Sequence, residues 1–218
     1  MLLVGCSGFP VPATRYLREF EFVEISDTHI GVPGPALVRR WKREAPLDFA
    51  FAAMSPREIG LDGFKPSAAS DAAWETFLPV ARDLAARFIV VVTPPELPAG
   101  KANRAAVRLF FERVARPKLP PAIWEPPATW ELREAEATVK DLRVTVARDP
   151  ARHPPFAKTE LAYYRLNGPA GHKSRYEDAT LEAAAKTVRD TAVAQRYVVF
   201  TNVDMYSDAR RMRKLLED

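Results

Sequence analysis

A chain of 218 residues with a formal net charge of +4 is long enough for one large domain or two small ones, and a fold of this size hides roughly 70% of the surface its unfolded chain exposes. Its single cysteine, Cys6, excludes an intrachain disulfide and any cysteine-cluster zinc site. No apolar run approaches the ~20 residues of a membrane span, and the apolar part of the opening MLLVGCSGFP is too short for a secretion signal, so no membrane partner and a cytoplasmic location are expected.

Short β-branched or aromatic runs recur along the chain. They are LLVG (2–5), EFVEI (21–25), DFAFAAM (48–54), FIVVV (88–92), AIWE (122–125), LRVTV (142–146), LAYYRL (161–166) and YVVFT (197–201). Helical patterns fill most of the gaps. In SDAAWETFLPVARDLAARF, Trp74, Phe77, Leu78, Ala81, Leu84 and Ala85 form one stripe at i, i+3, i+4, i+7 spacing, and Pro79 inside it is expected to kink or break the helix. Val107, Phe110, Phe111 and Val114 make a second stripe; Leu181, Ala184, Ala185 and Val188 make a third. The last helix takes Ser207 as its N-cap and turns Ala209, Met212, Leu215 and Leu216 inward. Only the link ARDPARHPPFAKTE, between the sixth and seventh runs, lacks a helical pattern.

Strand–helix alternation implies parallel strands joined by right-handed crossovers. Eight such strands predict an α/β fold, a compact TIM-type (β/α)8 barrel formed as a single domain over residues 1–218, with the helix between strands six and seven missing. An open doubly wound sheet is the rival. The seventh run helps to choose, because alternation puts Tyr163, Arg165 and Asn167 on one face and Ala162, Tyr164 and Leu166 on the other. A strand buried on both faces runs apolar, so something polar must lie on the first side. A barrel supplies it, since its interior accepts polar side chains near the C-terminal mouth, where the active sites of such folds lie.

Several motifs together resemble the YecE-like TIM barrels, domain-of-unknown-function family 72. They are VGCSGFP at the first strand, YLREFEFVEISDTHIGVP around the second and PLDFAFAAMSPREI at the third. The double proline after strand four, YYRLNG on strand seven and VVFTNV on strand eight continue the match over nearly the whole length. The resemblance implies a TIM-type barrel and no established reaction. Its polar positions fall on Gly5, Ser7, Gly8, Glu24, Thr28, Arg165, Gly168 and Asn202. The chain departs from that pattern at Phe9, Ile30, Met54, Val92 and Asn167, where the family commonly shows tryptophan, tyrosine, lysine, glutamine and histidine, and WEPP at strand five lacks the usual arginine.

In a barrel the C-termini of the strands converge on one opening. Glu24 alternates with Phe22 and needs a donor wherever it is buried; Arg165 needs an acceptor. They form the candidate catalytic pair, with a structural ion pair between strands two and seven as the alternative. The candidate ligand-binding residues around them are Ser7, Gly8, Thr28, His29, Glu125, Asn167, His172, Lys173 and Asn202. Two glycine-bearing loops favour an anion: Gly5–Gly8 after strand one, and GPAGHKSR after strand seven with His172, Lys173 and Arg175. Arg165 adds a rigid bidentate donor. Neither a P-loop nor G-x-G-x-x-G is present, so nucleotide binding of the common kinds is unsupported; the loops and Arg165 lead to a phosphate-bearing metabolite or nucleic acid as the expected ligand.

Two further readings stay open on the sequence. His29, His153 and His172 fall in expected loops, and with Glu24, Asp27, Glu125 and Asp204 they offer nitrogen and oxygen atoms to a divalent metal. That would make the chain a phosphodiester or sugar-phosphate hydrolase resembling the xylose isomerase and apurinic-site endonuclease barrels, although no local ligand motif such as H-x-x-E accompanies the histidines. The other reading is a non-catalytic nucleic-acid-binding module built on the basic helices RRWKR (39–43) and RRMRK (210–214), which otherwise are solvated helix faces. Catalysis, cofactor and oligomeric state are not written in the sequence.

Overall fold

The computed structural model describes every residue except Lys158 and Asp218. The chain runs through β1 (Leu2–Ser7), α1 (Ala13–Glu19), β2 (Phe22–Ile25), α2 (Asp27–Ile30), α3 (Pro35–Glu44) and β3 (Ala50–Met54). It continues with α4 (Arg57–Leu61), α5 (Ala68–Asp83), β4 (Phe88–Val92), α6 (Lys101–Val114), β5 (Ala122–Glu125) and α7 (Leu132–Thr138). It closes with β6 (Val144–Val146), β7 (Leu161–Leu166), α8 (Asp178–Arg189), β8 (Gln195–Phe200) and α9 (Met205–Glu217). Every apolar run read from the sequence is a strand. Among the described residues of the 147–160 link there is no helix. Pro150, Pro154 and Pro155 remove backbone donors there, and Arg148 orders the segment by donating from Nη1 to the carbonyls of Pro154 (3.1 Å) and Pro155 (3.0 Å) with its guanidinium over the Phe156 ring.

Of the kink or break expected at Pro79, the break does not occur, since helix α5 runs through that position. Pro79 and Glu75 both lie on the exposed side of the helix, where the hydrogen bond that proline cannot donate costs least. Two local expectations are corrected. Ser207 lies inside α9 rather than capping it, because the Met205 N–H already bonds the Asn202 carbonyl at 3.0 Å and the chain is turning before Ser207. His29 sits on the short helix α2, not in a loop.

The chain forms two compact units, the first made of residues 1–24, 45–50 and 147–218, the second of 25–44 and 51–146. In the second, β3, β4, β5 and β6 pair in that order, all parallel. Trp124 anchors this unit: it is fully buried, donates from Nε1 to Thr93 Oγ1 at 2.7 Å and meets Trp130 edge-on.

In the first unit the order is β2, β1, β8, β7, again all parallel. β8 begins two residues earlier than its apolar run, because Gln195 and Arg196 pair with Leu161 and Ala162 on one side and Arg196 with Leu2 on the other. The register aligns Tyr163 with Tyr197, Arg165 with Val199 and Gly5, and Ser7 with Glu24. Paired residues share a face, so Phe22, Glu24, Gly5, Ser7, Tyr197, Val199, Tyr163 and Arg165 all point the same way. The lower part of that face is aromatic, with Phe22 edge-on to Tyr197 and Tyr163 stacked on Tyr197. The opposite face carries Cys6, Val23, Val198, Phe200 and Leu166, all fully buried, and α9 packs on β1 and β8.

β1 and β2 approach closely at Gly5, where a Cβ would stand 2.3 Å from the Phe22 carbonyl oxygen. Next to it, burial pushes the Cys6 thiol up to about 12, so it carries no thiolate near neutral pH. Gly5→Ala is therefore expected to cost about 1–3 kcal/mol, read as a lower denaturant midpoint. Cys6 reports the same change, since a thiol reagent should label it only when the unit opens, and faster in the variant.

Candidate functional site

Sequence order places a carboxylate and its donors at the C-terminal ends of three strands of the first unit. Glu24 is the penultimate residue of β2 and fully buried; Arg165 is the penultimate residue of β7 and 5% exposed. Arg165 donates from Nη2 to Glu24 Oε1 at 2.7 Å. The Tyr163 hydroxyl donates to Oε2 at 2.9 Å, and Ser7 Oγ donates to Oε1 at 2.9 Å. The Gly8 N–H, on a backbone with φ +83°, holds the Glu24 main-chain carbonyl at 2.6 Å. A buried carboxylate is tolerated when it is paired and hydrogen-bonded, and Glu24 meets both conditions. Between Arg165 and Glu24 stand Val199 and Gly5, small enough at that level for the guanidinium to cross from β7 to β2. Burial and the Glu24 charge push the Tyr163 hydroxyl well above its usual range, so it remains a neutral donor.

The loop after β7 is held by its own hydrogen bonds. Gly168 has φ +92°, and its N–H donates to the Tyr176 hydroxyl at 2.9 Å. A Cβ there would meet the Gly171 carbonyl at 2.2 Å. The Ala170 N–H donates to Ser174 Oγ at 3.0 Å, and the Val203 N–H to the His172 carbonyl at 2.7 Å. His172 Nδ1 lies 2.6 Å from the Thr201 carbonyl, which only accepts, so Nδ1 carries the hydrogen and Nε2 is left for other partners. From below, fully buried Asn202 donates from Nδ2 to the Ser174 carbonyl at 3.0 Å and to Asp208 Oδ2 at 2.8 Å, while Arg211 donates to Asp208 Oδ1 at 2.7 Å. His172, Lys173 and Arg175 stay exposed on this framework.

The expected site residues therefore divide. Ser7, Gly8, Glu24 and Arg165 come together in one network. Asn167 accepts the Thr201 hydroxyl on its amide oxygen (2.7 Å). His172 and Lys173 lie on the ordered loop, and Asn202 supports that loop from within the core. Thr28, His29 and Glu125 belong to the second unit. Thr28 is buried with its hydroxyl between the carbonyls of Met54 (2.6 Å) and Ile25 (3.0 Å). His29 Nδ1 lies 2.7 Å from the Ser55 carbonyl, and Glu125 is half-buried at the end of β5. The part Tyr163 plays went unread in the sequence, although alternation already set it on the face of Arg165.

The metal reading finds no gathered donor set: among the described residues no three His, Cys, Asp or Glu side chains cluster to hold an ion. Both Glu24 oxygens already accept from neighbours, and His153 Nδ1 accepts the Asp149 N–H at 2.9 Å. The basic helices are partly neutralised, with Arg210 paired to Glu19 at 2.7 Å, Arg211 to Asp208 and Asp178, and Arg40 to Glu44 at 2.8 Å. Trp124, Trp130, Tyr163 and Tyr176 are core residues, and Tyr206 donates to Glu19.

Glu24→Leu leaves a buried guanidinium without its carboxylate, and Arg165→Met leaves the reverse; each is expected to cost about 3–5 kcal/mol. The pair made together should lose clearly less than the sum of the two, measured as a coupling energy in a denaturant double-mutant cycle. Additive losses would mean that the two charges do not depend on each other.

Residues 13–218 match the model of the family described as a protein of unknown function, DUF72. No curated protein matches the sequence. A DUF72 protein from Enterococcus faecalis is similar in structure with a TM-score of 0.77 at 17% identity, over 100% of this chain and 96% of the other. One from Thermotoga maritima gives 0.75 at 17% identity, over 100% of both chains. Endonuclease IV from Thermus thermophilus gives 0.64 at 12% identity, over 99% of both. Such identities speak for the fold alone, which is the α/β TIM-type barrel. Among the described residues no helix is long and apolar enough to cross a membrane. With its family motifs on β1, β2, β7 and β8 and the family match spanning nearly its whole length, the chain belongs to the DUF72 family.

Proposed function

We propose that the C-terminal ends of β1, β8 and β7 form a binding site for an anionic, phosphate-bearing ligand, with His172 and Lys173 as its contacts and the Glu24–Arg165 pair as its floor. The observation that carries this reading is the build of the 168–176 loop. Five hydrogen bonds from Gly168, Ala170, His172, Asn202 and Val203 fix it, yet His172, Lys173 and Arg175 remain exposed on it. Ordering a loop costs conformational entropy, and a loop already ordered spares the ligand that cost. Lys173 and Arg175, two cationic side chains on one short, fixed segment, create a local positive field. Glu24 does not offset that field, because its charge is matched at contact distance by Arg165. Loops after strands seven and eight are also where barrel folds commonly build phosphate sites.

In this reading Glu24 and Arg165 are positioning residues. Each spends its charge on the other, and together they fix the height of Ser7 and the direction of its hydroxyl. Titration calorimetry with inorganic phosphate tests the site. Lys173→Ala is expected to weaken binding about tenfold, the worth of one charge-assisted hydrogen bond. Arg210→Ala, on α9 and paired with Glu19, should change it little. Equal losses in both variants, or no phosphate binding by the unaltered protein, would overturn the reading.

A further inference from the structure

We infer that a groove in the second unit, between α6 and the turn before α5, binds a small carboxylate that carries an apolar tail. The groove has a volume of about 360 Å³, at the small end of ligand sites. It shares no residue with the loop after β7 and does not depend on the anion-binding reading. Its walls come from two short stretches. Along α6 the buried residues are Val107, Phe110, Phe111 and Val114. Leu109 falls outside that stripe and is 55% exposed. Leu109, Arg113 and Arg116 follow at i, i+4 and i+7, one helical face continued just past the end of α6. Phe64 and Pro66 complete the lining. Phe64 has a left-handed backbone (φ +64°), uncommon for phenylalanine, and its N–H donates to the Ile59 carbonyl at 2.9 Å. Its ring lies edge-on to Phe110, with the centroids 5.4 Å apart.

The charges around the groove decide what fits. Arg113 is committed, donating to Asp71 Oδ1 at 2.6 Å with its guanidinium over the Phe110 ring. Glu112 is paired with Arg108 at 2.9 Å. Arg116 differs. Its main chain is fixed: its N–H donates to the Val114 carbonyl at 2.8 Å, and its own carbonyl accepts from Arg143 Nη1 at 3.0 Å. Its exposed guanidinium bonds no other described residue, so one positive charge on the lining has no counter-ion. A wholly apolar guest would leave that charge unanswered. A phosphate monoester, with about two negative charges near neutral pH, would bring one too many beside Glu112. A carboxylate matches the single charge and fits the planar fork of a guanidinium. Its tail then covers Leu109 and Pro66, which otherwise face water.

NMR titration of the full chain with octanoate, hexanoate and 1-octanol tests the inference. The indole N–H signal of Trp74, whose ring packs edge-on to Phe110 at 5.8 Å, is the local reporter. Octanoate is expected to bind about tenfold more tightly than hexanoate, for two further methylenes covered. Arg116→Ala should weaken octanoate about tenfold and leave 1-octanol unchanged. Leu109→Asp should abolish binding of both. These two side chains are exposed, so neither change should unfold the chain. A Trp74 signal that octanoate does not move would overturn the inference, as would octanoate affinity that survives both substitutions. It falls equally if the chain self-associates and Leu109→Asp makes it monomeric while octanoate has no effect, because the groove is then covered by a second copy.

Discussion

A fully buried carboxylate sets the terms for the first unit. Glu24 sits on a face that is otherwise aromatic, among Phe22, Tyr163 and Tyr197, and its charge is tolerable there only with donors close by. Strands β1 and β7 supply them as Ser7, Tyr163 and Arg165. Much of the neighbouring sequence follows from that demand. Arg165 has to cross two strands, so the intervening positions are small, Val199 and Gly5. Gly5 is constrained a second time by the Phe22 carbonyl pressed against it. A pair of this kind need not add stability over an apolar replacement. What it adds is a single arrangement, because any other register between β1 and β2 would separate Ser7 from Glu24.

The unit divides its charges between two jobs. At the floor, charge is cancelled at contact distance and serves geometry. On the loop after β7, charge is left exposed on a scaffold held by its own hydrogen bonds. Asn202, Asp208 and Arg211 hold the core side of that loop, which ties its shape to the start of α9. Family positions such as Gly168 and Asn202 thereby acquire physical reasons that involve no ligand contact. Gly168 has a left-handed backbone and no room for a Cβ. Asn202 is a buried amide that holds the loop's underside.

The family resemblance and the fold agree, but the chain's departures from the family pattern fall where chemistry would be sought. By the resemblance, Met54, Val92 and Asn167 fall at positions where lysine, glutamine and histidine are expected. Asn167 shows the consequence most directly. It is exposed beside Thr201 and takes part in an uncharged hydrogen bond, so the basic character at this end of β7 comes from the loop that follows.

The sequence alone determined the strands, the parallel alternation and the partnership of Glu24 with Arg165. Apolar period and run length are local properties, and a charged residue inside an apolar strand announces that a counter-charge is needed. It also showed Tyr163 on the face of Arg165. It misjudged Ser207, because a cap depends on where the preceding turn begins. Only the tertiary structure decided that Tyr163 donates to Glu24, that Asn202 is spent inside the core, that Asn167 turns to Thr201, and that Thr28 is consumed by two main-chain carbonyls. Each of these is a choice of hydrogen-bond partner among residues distant in sequence. Such choices are fixed by strand register and by which groups lose their water, and neither is a property of any short stretch of chain.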